Sequence, residues 1–213
     1  MKRYCLILVF VLLFAACQKP EIASVSKFSS ESRPQFGFRW IDAGGTMELV
    51  VTIGGEYSVT VEGESAILKE LTTKSDGETL TIRTSNKIDG SNRPRVKITT
   101  PELSALVISG ATTASVSGIT ANLMKLQAAG SSRLVASGRT SELKASAIGS
   151  STIDAEKLKS ENAVVKCTGA SNVTLDVSGK LEAESLGAST IYFIEKPREV
   201  VQSITGAGEI RQK

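Results

Sequence analysis

The sequence of 213 residues predicts an all-β fold, a β-solenoid with turns of about 19 residues, and three observations carry that prediction. A glycine returns at a nearly constant interval: Gly110, Gly130, Gly149, Gly169, Gly187 and Gly206, in steps of 20, 19, 20, 18 and 19 residues. Behind each glycine stands a small residue (Ala111, Ser131, Ser150, Ala170, Ala188, Ala207), and behind that Thr112, Ser132, Ser151, Ser171 and Ser189, with Gly208 in the last turn. Around this corner, apolar residues occupy every second position, which sends them to one face of a strand.

The columns follow in order. Four residues after the glycine stand Ala114, Leu134, Ile153, Val173, Ile191 and Ile210; two before it stand Ile108, Ala128, Ala147, Cys167, Ser185 and Ile204. The column four before it runs Leu106, Leu126, Ala145, Val165 and Ala183, then Gln202 as the exception. Positions between are mostly polar, as in the column Thr113, Arg133, Thr152, Asn172, Thr190 and Glu209. Each unit reads as strand, tight corner, strand, then a looser connection such as Ser117-Gly118 or Ser137-Gly138. One unit cannot bury its own apolar face, but stacked units pair their backbones and close a continuous core. The corner needs glycine because its backbone angle opposes a Cβ. The small residue after the glycine is expected to point inward, and the Ser or Thr after that to lie beyond the inward column and to tolerate valine. Residues 141–164 are rich in Ala, Lys and Glu and favour helix by propensity. Leu143, Ala145 and Ala147 alternate, however, and Gly149 falls on the register, so this stretch reads as strand.

The first half is less regular but similar in kind. Leu49, Val51 and Ile53 alternate before Gly54-Gly55; Tyr57, Val59 and Val61 follow before Gly63. Leu80 and Ile82, then Val96 and Ile98, predict two further strands. Ile67 to Leu71 reads as a short helical turn and Asn86 to Arg93 as a polar loop.

An aromatic start (Phe36, Phe38, Trp40), the run LVVTIGGEYSVTVEG, then TLTI, then VKITTPELSALVISGAT with recurring G-A/S-S/T resembles the head GIN domain, an auto-transporter adhesin family of exported bacterial proteins. The resemblance covers nearly all of the mature chain and is most specific over PELSALVISGAT. It implies a right-handed parallel β-helix and a role in adhesion.

The ends add a location. Met1-Lys2-Arg3-Tyr4 followed by an apolar run from Cys5 to Ala16 reads as a secretory signal over residues 1–16, too short for a membrane span. Ala15-Ala16-Cys17 resembles a bacterial lipobox, with Phe14 where the family usually has Leu, and implies lipidation of Cys17. Residues 17–35 then read as a flexible tether rich in Ser, Lys, Glu and Pro, and residues 36–213 as one domain. Gln18 in place of Asp favours the outer membrane, facing either the periplasm or the cell exterior.

Composition narrows the chemistry. The formal charge of +3 falls by two, to +1, when Lys2 and Arg3 leave with the signal, which gives no argument for nucleic acid as partner. With Cys5 and Cys17 set aside, Cys167 has no partner for an internal disulfide. The sequence contains no His, which removes Ser-His-Asp and Cys-His machinery and imidazole bases. The remaining candidate for chemistry is Glu156 and Asp176, both seven residues after their glycine and so expected to stack. That pair reads first as a solvated face, then as a weak cation site, and last as an acid pair for glycan cleavage. Lys125 and Lys144 stack, with Val164 next to break any basic stripe, and read as edge charges, and Cys167 reads as a small core residue. Phe36, Phe38 and Trp40 read as a cover for the first turn, with a sugar-stacking platform as the alternative.

These readings predict a non-enzymatic envelope lipoprotein with no cofactor, metal or catalytic residue. Its partners would be the membrane, through the anchor, and a surface glycan or protein. Two other classes predict different surfaces. A glycan-processing enzyme would show an acidic cleft and a structural scaffold would show uncovered ends, whereas a binding protein would show a broad, neutral, polar face.

Overall fold

The computed structural model describes residues 27–85, 88 and 92–213. The signal segment, Cys17, the first part of the tether and much of the 86–93 loop lie outside the described residues.

Four long or paired rungs form the regular body. They are β9 (Thr113–Gly130), β10 (Arg133–Gly149) and β11 (Thr152–Gly169), followed by β12 (Asn172–Val177) with β13 (Lys180–Gly187). A last full coil holds β14 (Thr190–Phe193) and β15 (Glu199–Gly206), and β16 (Glu209–Gln212) begins the next one on β14. Every pairing among these strands is parallel, and the corner glycines lie side by side, Gly130 beside Gly149, Gly149 beside Gly169, Gly169 beside Gly187 and Gly187 beside Gly206. The result is a β-solenoid of about 5 turns with about 20 residues per turn. Residues 141–164 are strand, because the tertiary stack rewards alternation more than the local sequence rewards helix.

The coil has three sides. In the turn that begins at Ser151, the inward residues are Ser151, Ile153 and Ala155, then Leu158 and Ser160, then Ala163, Val165 and Cys167. Adjacent outward residues mark the bends, at Glu156-Lys157, Glu161-Asn162 and Thr168 to Ala170. The stretch read as a looser connection is therefore a short third side that buries Ile119 and Leu158.

Corner chemistry differs from expectation by one residue. Gly110 and Gly149 do adopt left-handed backbone, φ +78° and +83°. The small residue that follows is not inward: Ser150 and Ala170 are exposed, while Thr112, Ser132, Ser151, Ser171 and Ser189 are buried. Burial of these hydroxyls is possible because they bond to the backbone. Ser151 Oγ accepts from Ile148 N at 3.0 Å and donates to Ala128 O of the coil below at 2.9 Å, and Ser171 Oγ donates to Ala147 O at 3.1 Å. The left-handed glycine turns the next residue outward and the one after it in, which side-chain size alone does not reveal.

The amino-terminal part departs from simple stacking. It comprises β1 (Phe28–Ser32), β2 (Trp40–Gly45), β3 (Glu48–Ile53), β4 (Ser58–Glu64), the single turn α1 (Ser65–Leu68), β5 (Leu71–Ser75), β6 (Thr79–Thr84), β7 (Arg95–Thr100) and β8 (Ala105–Gly110). The helical turn falls two residues before its expected start. Strands β2 and β3 form a rung that lies between β6 with β7 on one side and β8 with β9 on the other. Gly45 thereby joins the corner column beside Gly110. Beyond the β6–β7 rung the direction reverses, with β4 antiparallel to β7, β1 antiparallel to β4 and β5 antiparallel to β6. These strands close the core at that end, where Phe38, Leu68 and Leu71 are fully buried or nearly so.

Strand β1 corrects the tether. Phe28 to Ser32 fall inside the segment read as flexible, yet they pair with β4 along their whole length, and Arg33 bonds Glu31 at 2.6 Å and Leu68 O. Its sequence, FSSES, buries little, so backbone pairing holds it and composition gives no sign of it.

Candidate binding surface

One sheet runs the length of the molecule through ten strands in the order β1-β4-β7-β3-β9-β10-β11-β12-β14-β16. At about 4.8 Å per strand it presents a face about 45 Å long. The outward column read from the sequence lies on it in unbroken register and extends further than the repeat predicted: Arg95, Glu48, Thr113, Arg133, Thr152, Asn172, Thr190, Glu209. The neighbouring column includes Val50, Ser115, Val135, Asp154, Thr174, Tyr192 and Arg211.

Charges on this face come in pairs. Arg95 meets Glu48 at 2.8 Å, Lys97 meets Glu62 at 2.8 Å, Arg133 meets Asp154 at 3.8 Å and Arg211 meets Glu209 at 2.8 Å. The Glu48 carboxylate raises the pKa of Arg95, and the Tyr192 hydroxyl with Glu209 raises that of Arg211. Arg211 also lies over the Tyr192 ring, 5.0 Å from its centroid, an arrangement that holds one aromatic face and one guanidinium side by side. The surface that results is hydroxyl-rich and nearly neutral, with donors and acceptors repeating at the strand spacing.

The acid pair does not form. The step from Gly169 to Gly187 is the shortest of the repeat, so the ladder passes from Ala155 beside Leu175 directly to Lys159 beside Asp176. Asp176 is 4% exposed and ion-paired with Lys159 at 2.5 Å, and that contact raises the pKa of Lys159. Glu156 instead binds Lys213 at 2.6 Å. Each carboxylate is neutralised by its own lysine, and the two no longer share a site for a cation or for paired acid chemistry. A groove of about 460 Å³ at the bend near Asn122, Arg139, Ser141 and Glu161 has one carboxylate in its lining.

The other sequence candidates fall as follows. Lys125, Lys144 and Val164 stack as expected. Cys167 stands inward between Ala147 and Ser185, and burial pushes its thiol pKa up to about 11, which keeps it protonated and unreactive. The aromatic trio separates. Phe38 is buried edge-on against Tyr57 at 5.0 Å and fills the end of the core, Phe36 touches the same tyrosine at 6.4 Å from the outside, and Trp40 stands outward on β2. The face of β9 to β16 was legible as a polar column, but its extension through β3 and β7 was not, because those strands join it out of chain order.

The rungs and the capped amino-terminal end define a parallel β-solenoid whose long outward sheet presents polar side chains. The chain belongs to the family described as "Putative auto-transporter adhesin, head GIN domain", whose model matches residues 37–197. Among solved structures, it is similar to a "putative adhesin" from Bacteroides fragilis NCTC 9343, at 17% identity and a TM-score of 0.72, over 88% of this chain and 97% of that one. A "putative lipid binding protein" from Parabacteroides distasonis ATCC 8503 matches at 18% identity and a TM-score of 0.56, over 89% and 98%. A "putative adhesin" from Parabacteroides merdae ATCC 43184 matches at 15% and 0.54, over 89% and 97%. At these identities the likeness is one of fold. No curated protein matches the chain.

Proposed function

We propose that this protein is a non-enzymatic adhesin of the cell envelope that binds an extended polar ligand, a surface glycan or a protein segment, along the ten-stranded face. The observation that carries this reading is the unbroken, charge-paired outward column from Arg95 to Glu209. A sheet with repeating hydroxyls and amides offers many modest hydrogen bonds to a long partner, and its paired charges neither attract nor repel one strongly. Membership of an adhesin family and the separation of Glu156 from Asp176 both support binding over catalysis.

The test is a glycan and matrix-protein array probed with the mature chain, followed by Arg133→Ala, Asn172→Ala and Tyr192→Ala. Each is expected to weaken binding about 5- to 30-fold, the equivalent of 1–2 kcal/mol, with no change in fold. Binding that survives all three substitutions places the ligand elsewhere.

Membrane attachment through Cys17 belongs to the same proposal. Cells fed a fatty-acid analogue are expected to label the wild type and not Cys17→Ser. Equal labelling of both removes the anchor. Ten or so residues from Cys17 to β1 can span at most about 35 Å, so an anchored solenoid stands with its capped end toward the bilayer.

A further inference from the structure

We propose that the carboxy-terminal coil is a self-association surface, on which a second copy of this chain stacks end to end about a two-fold axis through Gln202. Strand β15 pairs only with β13, and β16 only with β14, so one backbone edge of each is unpaired among the described residues. The core columns run straight into this edge: Leu181 is followed by Val200, Ala183 by Gln202 and Ser185 by Ile204. The first member of each pair is buried, whereas Val200 is 36% and Ile204 44% exposed.

The composition of the edge points to the occupant. Open strands are ordinarily guarded by charge, and the outward sites of the preceding coils carry Lys144, Lys166, Glu182 and Glu184. From Val200 to Gly206 β15 carries none, whereas β16, the other open strand, carries Glu209 and Arg211. At the opposite end the core is closed, and the terminal strands β1 and β5 carry Glu31 and Lys74. Head-to-tail stacking would set an open core against that closed, charged cap. A closed two-fold pair instead joins like to like.

The register of that pair follows from β15 itself. Antiparallel pairing that keeps the inward residues together places Gln202 opposite its own copy and Val200 opposite Ile204. The amide of glutamine is both donor and acceptor, so it can bond its symmetry mate, which accounts for the one polar residue in an apolar column. Glu199 then faces Thr205, and no like charges meet along the strand. Coil sides of about five residues, near 17 Å, limit the buried surface to a few hundred Å² per copy. That lies below the roughly 800 Å² of a stable interface, so the dimer is expected to be reversible and dependent on concentration.

Sedimentation of the mature chain from Gln18 onward is expected to show monomer at low micromolar concentration and dimer at high micromolar concentration. Val200→Lys combined with Ile204→Lys should remain monomeric throughout with an unchanged circular dichroism spectrum. Independently, Gln202→Cys should form a disulfide-linked dimer under mild oxidation much faster than Ser203→Cys, whose position faces Val201 rather than itself. Buried Cys167 stays out of that reaction. A wild type that is monomeric at every concentration, a dimer that survives the paired lysines, or equal crosslinking at 202 and 203 overturns the proposal. If the lysine variant does not fold, the crosslinking comparison decides.

Discussion

Gly138→Ala is expected to lower stability by about 3–5 kcal/mol, a large share of the roughly 5–15 kcal/mol typical of a whole domain. Two penalties combine there. The backbone sits at φ +135°, where a side chain is strained, and this costs on the order of 1–3 kcal/mol. A Cβ at this position would also lie 2.2 Å from Ile119 O, 2.6 Å from Ile119 N and 2.8 Å from Ile119 Cα, all backbone of the coil below. Backbone locked in a ladder cannot step aside as a flexible side chain can, so overpacking adds about 1–3 kcal/mol more. Gly77→Ala is the matching control, with φ +92° and no atom within 4 Å of the added Cβ, and should show the conformational cost alone. Urea midpoints of the two variants measure the difference. Values within about 1 kcal/mol of each other would mean that the coils are not stacked as closely as Gly138 beside Ile119 requires. Gly149→Ala and Gly169→Ala should fall between, since their nearest atoms lie at 3.1 Å and 2.9 Å.

The second large effect is at Ser151. Ser151→Val removes the partner of the part-buried Ile148 N–H and the buried bond to Ala128 O, at about 1–3 kcal/mol for the polar groups left unsatisfied. It also forces a branched side chain into a fully buried corner, at about 1–3 kcal/mol. A total of about 3–5 kcal/mol is expected. Ser151→Ala should keep the packing and lose only the polar part, near 2 kcal/mol. Ser151→Thr keeps a hydroxyl on the same branched shape as valine and should show the packing part alone, at most about 1–3 kcal/mol; Thr112 holds the equivalent corner of another coil and bonds Gly45 O and Ser109 O. Ser150→Val, one residue away on the exposed side, should stay within about 0.5 kcal/mol. Thermal or urea denaturation of the four variants gives the order. Ser150→Val costing more than Ser151→Val would return the corner to the register that side-chain size alone suggests.

The separation of Glu156 from Asp176 comes from a change in coil length. Counting from the nearest glycine places both carboxylates at one level, and counting is reliable only while each coil has the same length. The coil from Gly169 to Gly187 is short by two residues against its predecessor, and the deletion falls on the third side, after the glycine and before the acid. Asp176 therefore pairs with Lys159, and a surface that looked like a cation site holds an ion pair between a buried carboxylate and an exposed ammonium.

What the sequence determined by itself was whatever repeats through side chains. Inward columns such as Leu134, Ile153 and Val173, the corner glycines and the strand character of residues 141–164 are set by alternation and by backbone angle, and these are local properties. The polar column from Thr113 to Glu209 was legible for the same reason. Only the tertiary structure decided which rung lies beside which at the amino-terminal end. Rung β2–β3 inserts between β6–β7 and β8–β9, and β1 docks on β4, through hydrogen bonds between main chains that every sequence can make. It also decided that the serines after the corner are buried and that Val200 and Ile204 are not. Burial at those sites depends on whether another coil's backbone lies above them, a fact carried by neighbours far away in the chain and not by the residues themselves.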